Sequence, residues 1–253
     1  MTTVLYGLVA FAFVFGGGML GFLLGRLLPD HHRSDATQRI VQTATGMVSL
    51  ITALVLGLLV ATAKNKFDTT NHQNEEAAAK LMLINHKLVG LGADANGARA
   101  LLRKYTIAKI AATWPSEAAH KEPNGPPPLE LLDSLQQALS ELKPTTDLQR
   151  LEAKAASEAA ADLEKATWLQ ATEESTHVQQ PFIVILIVWL FVLFMSYGLF
   201  APRNGLVVTA LLIGALAIAG AVVLIVDMDS PYEGILVISP QPMQEALAQM
   251  TGP

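Results

Sequence analysis

Residues 46–63 read GMVSLITALVLGLLVATA, a run without a single charged side chain. An α-helix rises about 1.5 Å per residue, so a run of this length approaches the ~30 Å thickness of a bilayer's hydrocarbon core. Lys64, Lys66 and Asp68 follow directly, and no proline or glycine occurs from Lys64 to Val89. The sequence therefore predicts a membrane-spanning helix that continues into water as one long helix.

Three further stretches share this apolar character, at about residues 4–25, 182–201 and 206–226. Only 15% of the 253 residues are charged, whereas a typical soluble domain has about 25%. The charges lie almost entirely between and after the apolar stretches. The first stretch lacks a basic segment before it and is too long for a signal peptide, so we expect a retained helix. The predicted fold is all-α with four transmembrane helices.

The region between the second and third spans is polar, rich in alanine and helical in its periodicity. Four amphipathic helices are expected there, interrupted by a proline-rich loop over 115–128, and they favour an antiparallel bundle. A short tail with a β-like run over 234–238 and a final amphipathic stretch follows the fourth span. The expected domains are a first transmembrane pair with a short polar loop (1–64), a water-exposed helical bundle (65–180), a second transmembrane pair (181–226) and a tail (227–253).

Four spans place both termini, the insert and the tail on one side of the membrane. Near the membrane, the two short loops on the other side carry four arginines: Arg26, Arg33, Arg39 and Arg203. The insert side carries Lys64 and Lys66 there. The positive-inside rule then predicts cytoplasmic short loops, with the insert and both termini extracytoplasmic.

The interiors of the predicted spans contain no Asp, Glu, Lys, Arg or His. Ionisable groups inside a membrane are the usual mark of proton relays and ion-coupled carriers, so the pattern argues against a pump or a carrier. A net charge of -5 offers no basic patch for nucleic acid, and the chain has no cysteine. No phosphate-binding loop, nucleophile elbow or metal-ligand spacing occurs either. We therefore predict no enzyme, no cofactor and no metal site.

A pore remains possible, and the second span is the best candidate to line it. Thr45, Ser49 and Thr52 lie on one face of this helix, where hydroxyls could contact a passing ion. The alternative is that each hydroxyl bonds the carbonyl four residues earlier in its own helix. Four charges fall at the same membrane level and could form a pore mouth, or could simply anchor helix ends among the headgroups: Lys64, Lys66, Asp227 and Asp229.

The first span carries Gly17, Gly21 and Gly25 at intervals of one helical turn. Small residues at this spacing let a second helix approach closely and favour packing, although glycine is also common in membrane helices generally. His31 and His32 lie side by side in the first short loop. Adjacent histidines in a loop do not point at one ion, so we expect a solvated loop there.

Several segments resemble the bestrophin-like domain family of bacterial integral membrane proteins. They are LGFLLGRLLPDHH (20–32), TGMVSLITALVLGLLVATAKNKFD (45–68), ARALLRKY (98–105) closed by Trp114-Pro115, SYGLFAPRN (196–204) and DMDSPYEGILVISPQPMQEAL (227–247). The resemblance implies kinship with bestrophins, which are pentameric anion channels built from four-helix subunits. Bestrophin necks are lined by bulky apolar residues of the second helix. Here one face of that helix carries Leu50, Leu54, Leu58 and Thr62, a pattern that is also typical of a lipid-facing stripe.

Two functions are therefore expected from the sequence. The first is a homo-oligomeric ion channel of the bacterial inner membrane, with its pore framed by the second span and with lipid, ions and further copies of itself as partners. The second is a non-conducting membrane scaffold or sensor, whose exported bundle binds a partner or a ligand. The long helices that enter and leave the bundle motivate this alternative, because they could carry a displacement across the bilayer.

Overall fold

The computed structural model describes residues 2–27, 35–114, 126–174, 180–202, 204–232 and 234–251. Across these ranges the chain forms helices and irregular segments, without a strand. The helices are α1 (Thr2–Leu27), α2 (Asp35–Gly90), α3 (Asn96–Thr113), α4 (Pro128–Ser140), α5 (Asp147–Glu174), α6 (Gln180–Leu199), α7 (Gly205–Asp229) and α8 (Gln241–Met250). Four of them, α1, α2, α6 and α7, are long and apolar enough to cross a membrane. The prediction of an all-α fold with four transmembrane helices is confirmed.

The chain forms two compact units. The membrane unit comprises Met1–Asp68 and His177–Leu236, and the bundle comprises Thr69–Thr176 and Val237–Pro253. Helix α2 contributes residues to both units, and it runs for 56 residues without a break. The continuous helix follows from the absence of proline and glycine after Lys64, since nothing there interrupts the hydrogen-bond ladder.

In the membrane unit, α1 packs against α6 and α7 around a buried apolar core that includes Ala10, Val14, Leu186, Leu190, Ala215 and Val222. The three glycines of α1 meet the backbone of α6 directly. A Cβ added at Gly17 or Gly25 would lie 2.7 Å from the carbonyl oxygen of Phe191 or Leu199, and one at Gly21 would overlap the carbonyl of Met195. Side chains would therefore force these two helices apart.

In the bundle, α3 packs against α4 and α8, and α4 packs against α5. The second half of α2 contacts α5 through the Lys87–Glu152 ion pair and α8 through a hydrogen bond from Asn85 to the carbonyl of Gln249. The core contains fully buried side chains from each helix, including Leu81, Leu88, Leu102, Tyr105, Leu132, Leu135, Leu163 and Met243. Tyr105 is hydrogen-bonded to Thr167 across 3.3 Å. The buried tyrosine thus has a polar partner for its hydroxyl, as buried phenols normally require.

The end of the chain belongs to this bundle, although the sequence predicted a separate tail. Helix α8 buries Met243, Ala246 and Met250, which share one face at helical spacing. The indole N–H of Trp114 donates a 2.8 Å hydrogen bond to the carbonyl of Ile238, and both residues are buried. The sequence indicated only an amphipathic stretch at this position; the helix and its partner helices were identified from the structure.

Two local predictions are wrong. The β-like run over 234–238 is irregular, because the backbone amides at 235 and 236 bond a carboxylate instead of a neighbouring strand. The residues between the apolar stretches 4–25 and 46–63 were expected to form a short polar loop, but α2 already begins at Asp35. The predicted loop residues Asp30, His31, His32 and Arg33, and also Arg203, lie outside the described residues.

Candidate pore helix and its charged rim

The membrane span of α2 is the least covered of the four. Of its most apolar 18-residue window, 17% is buried within the subunit, against 28% to 33% for the other three spans. In this span, Leu59 and Ala63 belong to the buried apolar core of the membrane unit, and Val55, Leu56 and Val60 pack against it while partly exposed. One subunit therefore leaves most of this helix open to lipid or to another copy of the chain.

The hydroxyl-bearing face of α2 turns toward the interior of the subunit. Thr45 and Thr52 are buried, and Ser49 is half-buried. The hydroxyl of Thr52 donates a 2.7 Å hydrogen bond to the carbonyl of Val48, and that of Thr45 bonds the carbonyl of Val41. Each threonine hydroxyl is thus satisfied four residues back in its own helix. That Thr45, Ser49 and Thr52 line a pore stays a prediction.

The opposite face of α2 is apolar and open. Leu50, Leu54 and Leu58 are 75%, 74% and 66% exposed in the subunit, and Thr62 continues the same row. At 3.6 residues per turn, Leu54 lies about 200° around the helix from Thr52, so the two faces point in nearly opposite directions. This leucine face is the part of α2 that a neighbouring copy, a lipid or a pore would contact.

Three of the four predicted rim charges form ion pairs within the membrane unit. Lys64 pairs with Asp68 one turn further along α2. Lys66 reaches α7, where its Nζ lies 2.7 Å from Oδ1 of Asp229. Both pairs are partly exposed, so each contributes little to stability, but the second one ties the end of the α2 span to the end of α7. As paired charges they give the rim a balanced charge instead of a strong single sign.

The fourth rim residue, Asp227, is fully buried. Its carboxylate accepts the backbone N–H of Ile235, at 3.0 and 3.1 Å to the two oxygens, and that of Leu236 at 2.7 Å. Gly234 makes this possible, since its φ of +128° suits glycine and an added Cβ would overlap Oδ1 of Asp227. We call Asp227, Gly234, Ile235 and Leu236 the Asp227 clasp.

The Asp227 clasp was not predicted, because no known sequence motif places a carboxylate eight and nine residues before the backbone amides that it binds. The glycine seven residues after the aspartate was the only available signal. Within the described ranges, no group of three or more His, Cys, Asp or Glu side chains is arranged to hold a metal ion. Of the two carboxylates at the end of α7, Asp227 accepts hydrogen bonds from backbone amides and Asp229 pairs with Lys66.

A family model described as the Bestrophin-like domain matches residues 12–243. The chain belongs to the Bestrophin-like family. The resemblance stated from the sequence is thereby confirmed, and α2 and the Asp227 clasp both lie within the matched residues of the Bestrophin-like domain. The comparison with curated proteins found no match.

Among solved structures, this Bestrophin-like chain is similar to a bacterial bestrophin homologue from Klebsiella pneumoniae that carries a point mutation. The two share 12% sequence identity with a TM-score of 0.65, and the similarity covers 100% of each chain. At that identity the likeness is one of fold.

Proposed function

We propose that this protein is an oligomeric ion channel, with its pore framed by α2 of several copies. The observation that carries the proposal is the open α2 span, taken together with membership of the Bestrophin-like family and the bestrophin-homologue fold. The rest of the membrane unit supports it, since α1 meets α6 at backbone contact and leaves no room there for a hydrated path. A pore between copies would use the span that a single copy covers least.

The leucine face of α2 suits the neck of such a pore. A ring of Leu50, Leu54 or Leu58 side chains from several copies would form a hydrophobic constriction, which gates ion flow by losing or gaining water. The hydroxyls of Thr45 and Thr52 already donate to carbonyls of their own helix, so neither has a free donor to offer an ion. In this proposal the threonine face packs inside the subunit and the leucine face approaches the pore axis.

The test is ion flux through purified protein in liposomes, with two matched variants of α2. Leu54→Thr replaces an apolar side chain of the proposed neck with a smaller one that carries a hydroxyl, and it is expected to raise the flux by easing the entry of water. Thr52→Val keeps the shape of the side chain and removes a hydroxyl that already bonds Val48, so its flux is expected to match the parent protein. A change with Thr52→Val alone would assign the pore to the predicted hydroxyl face.

Flux no greater than that of empty liposomes, across several salts and pH values, would overturn the channel. The second candidate function would then stand, because α2 passes uninterrupted over 56 residues and could carry a displacement from the membrane to the bundle. A scaffold or sensor of this kind should retain a stoichiometric partner when isolated from native membrane. Recovery of the homo-oligomer alone would contradict it.

For the topology, we propose an inner-membrane protein with the bundle and both termini outside the cytoplasm. The arginines of the short loops support this orientation through the positive-inside rule. Alkaline phosphatase and green fluorescent protein fused after residue 251 report opposite sides of the membrane. Phosphatase activity without fluorescence is the expected result, and the reverse pattern would place the bundle in the cytoplasm.

A further inference from the structure

The end of the apolar part of α7 marks one boundary of the membrane. The helix spans Gly205–Asp229, and its apolar run from Leu206 to Val226 precedes the first charged residue, Asp227. At about 1.5 Å per residue this run is roughly 30 Å long, which equals the thickness of the hydrocarbon core. Asp227 therefore lies where the acyl chains give way to the headgroups.

The Asp227 clasp brings a later part of the chain back to this level. The amide nitrogens of Ile235 and Leu236 lie 3.0 and 2.7 Å from the Asp227 carboxylate. Hydrogen bonds of this length hold the backbone of both residues next to the Asp227 side chain, and so next to the membrane boundary. The chain has left α7 after Asp229, so it must turn back toward the bilayer to reach this position.

The side chains held there are apolar and uncovered. Ile235 is 70% exposed and Leu236 is 41% exposed, whereas the carboxylate that holds them is fully buried. Tyr232, in the same connection, is a residue type enriched at the headgroup level of membrane proteins. A position fixed at the boundary, with apolar side chains directed away from the subunit's core, matches the chemistry of the acyl-chain edge.

We propose that residues 234–236 are an interfacial anchor, which inserts Ile235 and Leu236 among the lipid acyl chains beside the end of α7. The ligand is the bilayer itself at the border of headgroups and acyl chains. Asp227 acts as the positioning residue, since its carboxylate sets the depth of the two side chains. The proposal is independent of ion conduction and holds for a channel and for a scaffold alike.

The absence of cysteine from the chain makes the test direct, because a single introduced thiol is the sole labelling site. A spin label on Ile235→Cys is compared in liposomes with Leu224→Cys, an exposed position on α7, and Ser140→Cys, an exposed position in the bundle. Accessibility to oxygen reports lipid, and accessibility to a polar nickel complex reports water. The oxygen-to-nickel ratio at Ile235 is expected to lie near that at Leu224 and well above that at Ser140.

A ratio at Ile235 equal to that at Ser140 would overturn the proposal, since the side chain would then be in water. Low accessibility to both reagents would also overturn it, because the site would be covered by another copy of the chain. The clasp is tested by adding Asp227→Asn to the labelled Ile235→Cys protein, which should lower the ratio toward the value for Ser140. An unchanged ratio would contradict the part assigned to Asp227 in setting the depth.

Discussion

Replacing Asp227 with asparagine removes a charge from the buried clasp without changing the shape of the side chain. The carboxylate accepts two backbone N–H groups, and an asparagine offers one oxygen and an NH₂ group that cannot accept. The Ile235 amide therefore loses one of its two acceptor oxygens, and the hydrogen bonds that remain lose their charge assistance. Hydrogen bonds to charged groups contribute about 1.5–3 kcal/mol, so the clasp should weaken by about 2 to 3 kcal/mol.

Hydrogen–deuterium exchange measures this loss locally. An amide exchanges when its hydrogen bond opens, so the rate follows the free energy of local opening. A weakening of about 2 to 3 kcal/mol corresponds to a roughly 30- to 140-fold faster exchange, because every 1.4 kcal/mol is a factor of ten. The increase is expected in the peptide that covers residues 234–236, in purified oligomer held in detergent or nanodiscs.

Asp229→Asn is the matched control, since it removes the same charge two residues further along. Asp229 pairs with Lys66 and not with the loop amides, so its variant should leave exchange at 234–236 as in the parent protein. Unchanged exchange in Asp227→Asn would refute the clasp as the reason for the loop conformation. Equal acceleration in both variants would refute it too, because a general loosening of the α7 end would then account for the effect.

Three further variants test the packing inside each unit. Gly21→Ala should destabilise the detergent-solubilised oligomer by about 1–3 kcal/mol and so lower its thermal unfolding midpoint. Gly16→Ala, on the same helix but facing open space, should leave the midpoint unchanged. Trp114→Phe loses the bond to the tail and should speed amide exchange in α8, unlike Trp168→Phe, whose indole is exposed. Burial raises the pKa of Tyr105 above 10.0, so the stability it contributes is complete below about pH 10 and is lost as the pH rises through the raised value. Tyr105→Phe should remove that alkaline loss of helicity, measured by circular dichroism, and an unchanged alkaline transition would contradict the assignment.

The spans could be predicted from sequence because their signal is local. An uncharged run such as residues 46–63 has few alternatives to a membrane helix, and the unbroken stretch after Lys64 fixed the continuity of α2. Periodicity also identified which residues share a face. It could not tell which way a face turns, and the structure buries Thr52 while it leaves Leu54 exposed.

The clasp and the position of α8 were beyond sequence reasoning for a different physical reason. Asp227 reads as a membrane-edge charge, and only the turn at Gly234 brings two backbone amides to its carboxylate. A hydrogen bond to backbone leaves no trace in the identity of the donor residue. Likewise, the amphipathic end of the chain could have packed on any apolar surface. The segment that leads into α8 is held by the hydrogen bond from the Trp114 indole to the carbonyl of Ile238.

The glycine face of α1 has a mechanical consequence. Each of Gly17, Gly21 and Gly25 lies against one carbonyl of α6, so the two helices can pack this closely in only one register. Sliding by a single residue would bring the side chains of α1 against that backbone. Helices α1 and α6 must then move together as one rigid pair, so a rearrangement inside the bilayer cannot come from sliding between them.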